Sequence, residues 1–155
     1  MAARTYRYFR GVPLYTFGFG LSYTTFSYSN PRVDHSEITA TDSATISVDV
    51  KNIGPVSGDE VVELYVSHPG VDGAPIRALQ GFARVHLDRG EQKTVSITLR
   101  DRQLSLVDES GKRHILPGQI DVWIGGGQPI AGRGQSPPPG AKTQFRITTQ
   151  AELPD

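Results

Sequence analysis

The chain has no cysteine. That excludes a disulfide scaffold and a cysteine nucleophile, so stability must come from burial. It has no apolar run of about 18 residues, so no membrane-spanning helix is expected. It has no block of like charge either. Sixteen Lys and Arg offset sixteen Asp and Glu, which leaves no basic footprint for nucleic acid or an anionic membrane. Asparagine occurs only at Asn30 and Asn52, and neither opens a glycosylation sequon, because Pro31 follows the first and Gly54 ends the second triplet. His35, His68, His86 and His114 include no pair spaced two or four apart, so no local metal-chelating pair exists and no metal or other cofactor is expected. Residues 1–9 lack the apolar stretch of an export signal, and the chain enters structured-looking sequence at once, as a piece of a longer polypeptide would.

What is present is unevenly spread. Tyr6, Tyr8, Phe9, Tyr15, Phe17, Phe19, Tyr23, Phe26 and Tyr28 crowd the first 28 residues, and only Tyr65, Phe82, Trp123 and Phe145 follow. Each ring can bury about 150–250 Å², whereas the largest apolar patch on a soluble monomer is about 300–600 Å². The segment must therefore enter the core or lie against something else. Gly11, Pro13, Gly18 and Gly20 interrupt any regular element across it. It reads mainly as a docking strip, with Tyr6, Tyr8, Phe9, Tyr15, Phe17, Phe19 and Tyr23 as its contacts.

Beyond the strip the pattern is that of short strands. Residues 44–50 alternate, with Ile46, Val48 and Val50 on one face. Residues 60–67 are partly apolar on both faces and suit the middle of a sheet. Residues 78–87, bent at Gly81, and 94–100 follow, separated by the turn Asp88-Arg89-Gly90. Residues 104–107 and 113–116 form the arms of a hairpin around Asp108-Glu109-Ser110-Gly111. Ile120, Val122 and Ile124 face inward in the next strand, and Phe145 and Ile147 in the last. Residues 125–140, rich in Gly and Pro, are expected to be an exposed, mobile loop, and the tail 151–155 to be loose. Seven to eight strands without a convincing helix indicate an all-β fold, an antiparallel immunoglobulin or fibronectin type III-like β-sandwich with an irregular N-terminal segment. The expected division is 1–22 as linker and docking segment, 23–150 as sandwich and 151–155 as tail.

Candidate chemistry is thin. Asp59/Glu60 and Asp108/Glu109 are adjacent carboxyl pairs, but neighbours in a strand point to opposite faces, and the second pair lies in a turn. Neither suits the facing carboxyls that glycosidic hydrolysis requires. No G-x-S-x-G nucleophile elbow occurs. Gly125-Gly126-Gly127 precedes a Pro-rich loop rather than a helix, so it makes no phosphate cradle. Trp123 runs out of phase with its inward neighbours. It and Tyr65 are candidates for stacking on a sugar or lignin-type ring, or for covering a neighbouring surface.

The stretch Tyr15-Thr16-Phe17-Gly18-Phe19-Gly20-Leu21-Ser22-Tyr23-Thr24-Thr25-Phe26 closely resembles the segment that opens the C-terminal fibronectin type III-like domain of glycoside hydrolase family 3. The resemblance continues through residues 58–66, 79–87, 90–95 and 117–125, in the family's order. Thr5-Tyr6-Arg7-Tyr8-Phe9 looks like the end of the family's preceding α/β sandwich domain. Thr16 stands where proline is common, and 126–142 is longer than the usual final hairpin. The resemblance implies a secreted or periplasmic, bacterial-type parent, a retaining β-glucosidase or β-xylosidase whose catalytic carboxylates lie in other domains. No catalytic residue carries over. The implied role is a non-catalytic accessory domain that packs on and stabilises the catalytic domains. The alternative is a module that holds plant cell-wall polymer, polysaccharide or lignin, through exposed aromatics.

Overall fold

The computed structural model describes residues 5–154. Within them the two-residue alternation becomes a pair of packed antiparallel sheets. Strands β1 (Phe26–Val33), β3 (Ala44–Asn52) and β6 (Gln92–Leu99) form one sheet in the order β1-β3-β6. Strands β2 (Glu37–Ile38), β4 (Gly58–Ser67), β5 (Ala78–Leu87), β9 (Gly118–Gly125) and β10 (Gly140–Ile147) form the other, in the order β2-β10-β9-β4-β5. All pairings are antiparallel except the short edge contact of β2 with β10. A small third sheet joins β7 (Leu106–Val107), β8 (Arg113–Ile115) and β11 (Ala151–Leu153).

The core lies between the two large sheets. Ile46, Val48 and Val50 of β3 meet Val62, Leu64 and Val66 of β4, Ile120, Val122 and Ile124 of β9, and Phe145 and Ile147 of β10, all buried. Each such side chain contributes about 1.5–3 kcal/mol through removal from water. The outer face of the three-stranded sheet is polar. Thr45 and Thr98 meet at 3.1 Å, Ser47 and Ser96 at 2.8 Å, each a directly opposed cross-strand pair.

The bend foreseen at Gly81 is a bulge, where Leu64 faces Gly81 and Tyr65 faces Leu79 so that Gln80 is the extra residue. A Cβ on Gly81 would stand 2.6 Å from Cγ2 of Ile97, so glycine lets the second sheet approach there.

Several expectations fail. Residues 151–153 of the tail are not loose: β11 pairs antiparallel with β8 from Ala151 opposite Ile115 to Leu153 opposite Arg113, while Asp155 lies outside the described residues. A one-turn helix, α1 (Asp101–Leu104), replaces the start of the hairpin arm at Leu104. Its capping is one-sided: the Gln103 side chain accepts the Arg100 N–H at 2.9 Å, while the Gln103 N–H donates to the Arg100 backbone carbonyl at 2.8 Å. β1 carries little apolar alternation because Asn30 takes φ 51° and shifts the register between Ser29 and Arg32. Residues 126–139 are not simply exposed, since Gln128 is only 2% accessible and Gly127 and Gly132 are buried with it.

Candidate functional site

The aromatic strip runs over the outer face of the five-stranded sheet. The N–H groups of Tyr8 and Phe9 both donate to the Thr5 carbonyl, closing a tight turn. The Ile76 N–H donates to the Arg7 carbonyl (2.8 Å), and the Leu79 N–H to the Tyr6 hydroxyl (3.1 Å). Further along, the Arg133 N–H donates to the Pro13 carbonyl, and the Phe17 N–H to Oε1 of Gln128. The strip is thereby stitched to β5 on one side and to segment 126–139 on the other.

Its inner side consists of Tyr6 and Thr16, with Phe17 half-covered at 46% exposure. Tyr6 stacks on Phe17 with centroids 4.4 Å apart and meets Tyr65 edge-on at 6.2 Å. Tyr65 is consequently 1% exposed. The expectation that it offers a free stacking face is overturned, because the strip covers that part of the sheet. Its hydroxyl donates to Oε2 of Glu63 at 2.6 Å. Burial raises the Glu63 carboxyl, opposed by this hydrogen bond, and raises the Tyr65 hydroxyl with the Glu63 charge adding to it. Gly18, at φ +77°, lies directly over the Glu63 carboxylate, and any Cβ there would strike its oxygens. The glycine serves both the positive φ and the close approach.

The outer side faces water. Val12 is 70% exposed, Leu14 and Tyr15 67%, Phe19 44%, Leu21 92% and Tyr23 98%. Tyr8 and Phe9 lie at the margin of exposure, and Tyr15 meets Phe19 with 5.2 Å between centroids. The strip therefore has two faces, one spent on this domain's own sheet and one unpartnered. The sequence reading assigned the strip mainly to a neighbour; its inner side instead covers this domain's own sheet.

A buried polar knot ties the strip's end to the sandwich. Asn52 is fully buried. Its Oδ1 accepts from the Thr24 hydroxyl (2.6 Å) and the Gly54 N–H (3.0 Å), while its Nδ2 donates to the carbonyls of Val56 (2.8 Å) and Leu87 (3.0 Å). Nothing in the local pattern around Asn52 announces this role beyond asparagine's rarity in the chain.

Trp123 stands on the same outer face, opposite Tyr65 on β4 and Lys142 on β10. Its indole N–H donates to the Gly127 carbonyl at 2.9 Å. The ring occupies the space above Gly140, where a Cβ would collide with its six-membered ring. Trp123 borders an open cleft of about 590 Å³ with Arg77, Asp121 and Gln144.

Several other carboxylates are engaged in ion pairs or hydrogen bonds. Asp59 accepts from Arg84 and lies 2.7 Å from Nδ1 of His86; Asp108 accepts from Ser110 and lies 2.9 Å from Nε2 of His114. Glu60 accepts the Tyr28 hydroxyl at 2.7 Å. None of these makes a facing carboxyl pair across a cleft. Among the described residues, no group of three or more His, Asp or Glu side chains could hold a metal ion.

Comparison with known proteins agrees with this geometry. The fibronectin type III-like domain family matches residues 60–128. A β-xylosidase of Formosa agariphila is 42% identical over 121 residues, 77% of this chain but 17% of that protein. The thermostable β-glucosidase B of Acetivibrio thermocellus is 39% identical over 125 residues, again 77% of this chain and 17% of the relative. A solved β-glucosidase from Erythrobacter marinus superposes with a TM-score of 0.78 at 32% identity, covering 94% of this chain and 18% of that one. The chain thus spans under a fifth of each of these enzymes. It belongs to the fibronectin type III-like domains of glycoside hydrolase family 3 β-glucosidases and β-xylosidases.

Proposed function

We propose that this chain is the non-catalytic accessory domain of a retaining β-glucosidase or β-xylosidase, and that it docks on and stabilises the catalytic domains through the outer side of its aromatic strip. The observation that carries the reading is the run from Val12 to Tyr23, in which Leu21 and Tyr23 are 92% and 98% exposed. The apolar area presented there is on the order of 600–900 Å² from typical side-chain areas, above the patch size of an ordinary monomer. It suits an interdomain contact of about 600–1,500 Å². The inner side, held by Tyr65, Gln128 and β5, presents that face as an ordered surface.

The test compares the isolated chain with the full-length enzyme, each carrying Leu21→Ser and Tyr23→Ser. Both side chains are solvated in this domain, so its own Tm is expected to stay within about a degree. In the full-length enzyme the loss of two buried side chains is expected to cost about 3–6 kcal/mol of interdomain contact and to lower Tm or separate the domain's transition. An unchanged full-length Tm sinks the docking reading. Turnover of an aryl β-glycoside by the isolated chain sinks the non-catalytic one.

A further inference from the structure

The strip's hydrogen bonds run to β5 and to segment 126–139, and the outer faces of β9 and β10 carry a different surface. Gln119, Asp121 and Trp123 alternate outward on β9. Arg146, Gln144 and Lys142 stand opposite them in register. The Gln119 amide donates to Oδ1 of Asp121 (2.6 Å) and to Oε1 of Gln144 (3.1 Å), which locks three planar polar groups into one array. Among the described residues, no hydrogen bond takes the second Asp121 oxygen, the Gln144 amide nitrogen or the Gln119 oxygen. Arg77 also lines the cleft, but its Nη1 is sealed inside the protein without a hydrogen-bond partner and lies out of a ligand's reach. Trp123 is fixed in place by its bond to Gly127 and by the bare backbone of Gly140 and Gly125.

The cleft therefore offers one immobilised indole ringed by fixed donors and acceptors of both kinds. An apolar ligand would leave those polar groups unsatisfied. A multiply charged anion would meet the Asp121 carboxylate and a cation would meet Arg77 and Lys142, so a neutral ligand suits the mixed lining best. A ring with a C–H face and hydroxyls around its rim satisfies both, since each hydroxyl donates and accepts. The cleft volume of about 590 Å³ falls within the usual range of about 300–1,000 Å³ for small-ligand sites. We infer that the β9–β10 cleft is a saccharide-binding site, in which a pyranose of a short neutral oligosaccharide stacks on Trp123 and hydrogen-bonds Asp121 and Gln144. This goes beyond the docking role and uses a different part of the surface.

Trp123 is the only tryptophan of the chain, so its fluorescence reports on the cleft alone. The experiment titrates the chain with xylohexaose and with cellohexaose and follows tryptophan emission. A saturable change with Kd on the order of 1 mM is expected for at least one of them. Asp121→Ala is expected to weaken it about tenfold, as loss of a hydrogen bond to a charged group does, with unliganded emission unchanged. Asp121→Asn, which keeps the shape and one acceptor, is expected to weaken it less than Asp121→Ala. The inference is overturned if neither oligosaccharide gives a saturable change, if open-chain sorbitol at equal hydroxyl concentration gives the same change, or if Asp121→Ala binds as the unsubstituted chain does. The docking reading is measured by the Tm of the full-length enzyme, so either can fail without the other.

Discussion

Replacing Asn52 by alanine removes all four hydrogen bonds that join β3, the strip's end and the turn into β4. Two of the partners are well buried: the Leu87 carbonyl, in a fully buried residue, and the Thr24 hydroxyl, in a residue 7% exposed. Stranding each costs about 1–3 kcal/mol. The other two, the Val56 carbonyl and the Gly54 N–H, lie near the surface, where water can replace the lost bond. The expected loss is about 3 kcal/mol, or a Tm lower by about 6–12 °C in a domain of this length. Asn52→Asp makes the argument sharper. A carboxylate keeps both acceptor bonds but turns a second oxygen, with no proton to give, toward the Leu87 and Val56 carbonyls. It is expected to be at least as damaging as alanine at pH 7. Lys51→Ala, at the exposed neighbouring position, is expected to change stability by no more than about 0.5 kcal/mol. Urea denaturation followed by circular dichroism reads all three. A loss below about 1 kcal/mol for Asn52→Ala, or an Asn52→Asp variant as stable as the parent at pH 7, would refute this account of the knot.

Two further outcomes follow from the covered sheet face. Burial raises the Glu63 carboxyl above its unfolded value, so the folded state holds more protons in that window and this contribution to stability falls as pH rises through the folded pKa. Glu63→Gln, which keeps an acceptor for Tyr65, is accordingly expected to raise Tm at pH 7 and to lose that advantage near pH 4; an advantage that persists unchanged at low pH would contradict it. Gly140→Ala places a methyl group against the Trp123 ring and 2.9 Å from Cα of Gly125, and is expected to cost about 1–3 kcal/mol of overpacking with a shift in tryptophan emission. Unchanged emission and Tm would show that the ring does not rest there.

The main strands were readable because their information is local. Ile46, Val48 and Val50, or Ile120, Val122 and Ile124, share a face through the two-residue repeat of an extended chain, and Asp88-Arg89-Gly90 turns whatever it connects. The ordered blocks of family resemblance then supplied the architecture. β1 escaped notice because Asn30 and Pro31 break its alternation, and β11 because a three-residue strand owes its existence to β8 rather than to its own composition. The same holds at the candidate site. The richness of residues 6–28 in aromatic rings was plain from composition, and it required a large covered surface.

The alternation and turn chemistry of the chain were enough to establish an all-β sandwich and which residues form its core, because each depends on neighbours one or two positions away. Only the folded structure decided which rings of the strip face inward, that Tyr65 is covered while Trp123 borders a cleft, and that Asn52 closes four hydrogen bonds. Those outcomes depend on contacts such as Thr24 with Asn52 and Phe17 with Gln128, 28 and 111 positions apart, and such pairings are chosen by how the sheets stack and the strip crosses them, which leaves no periodic trace along the chain.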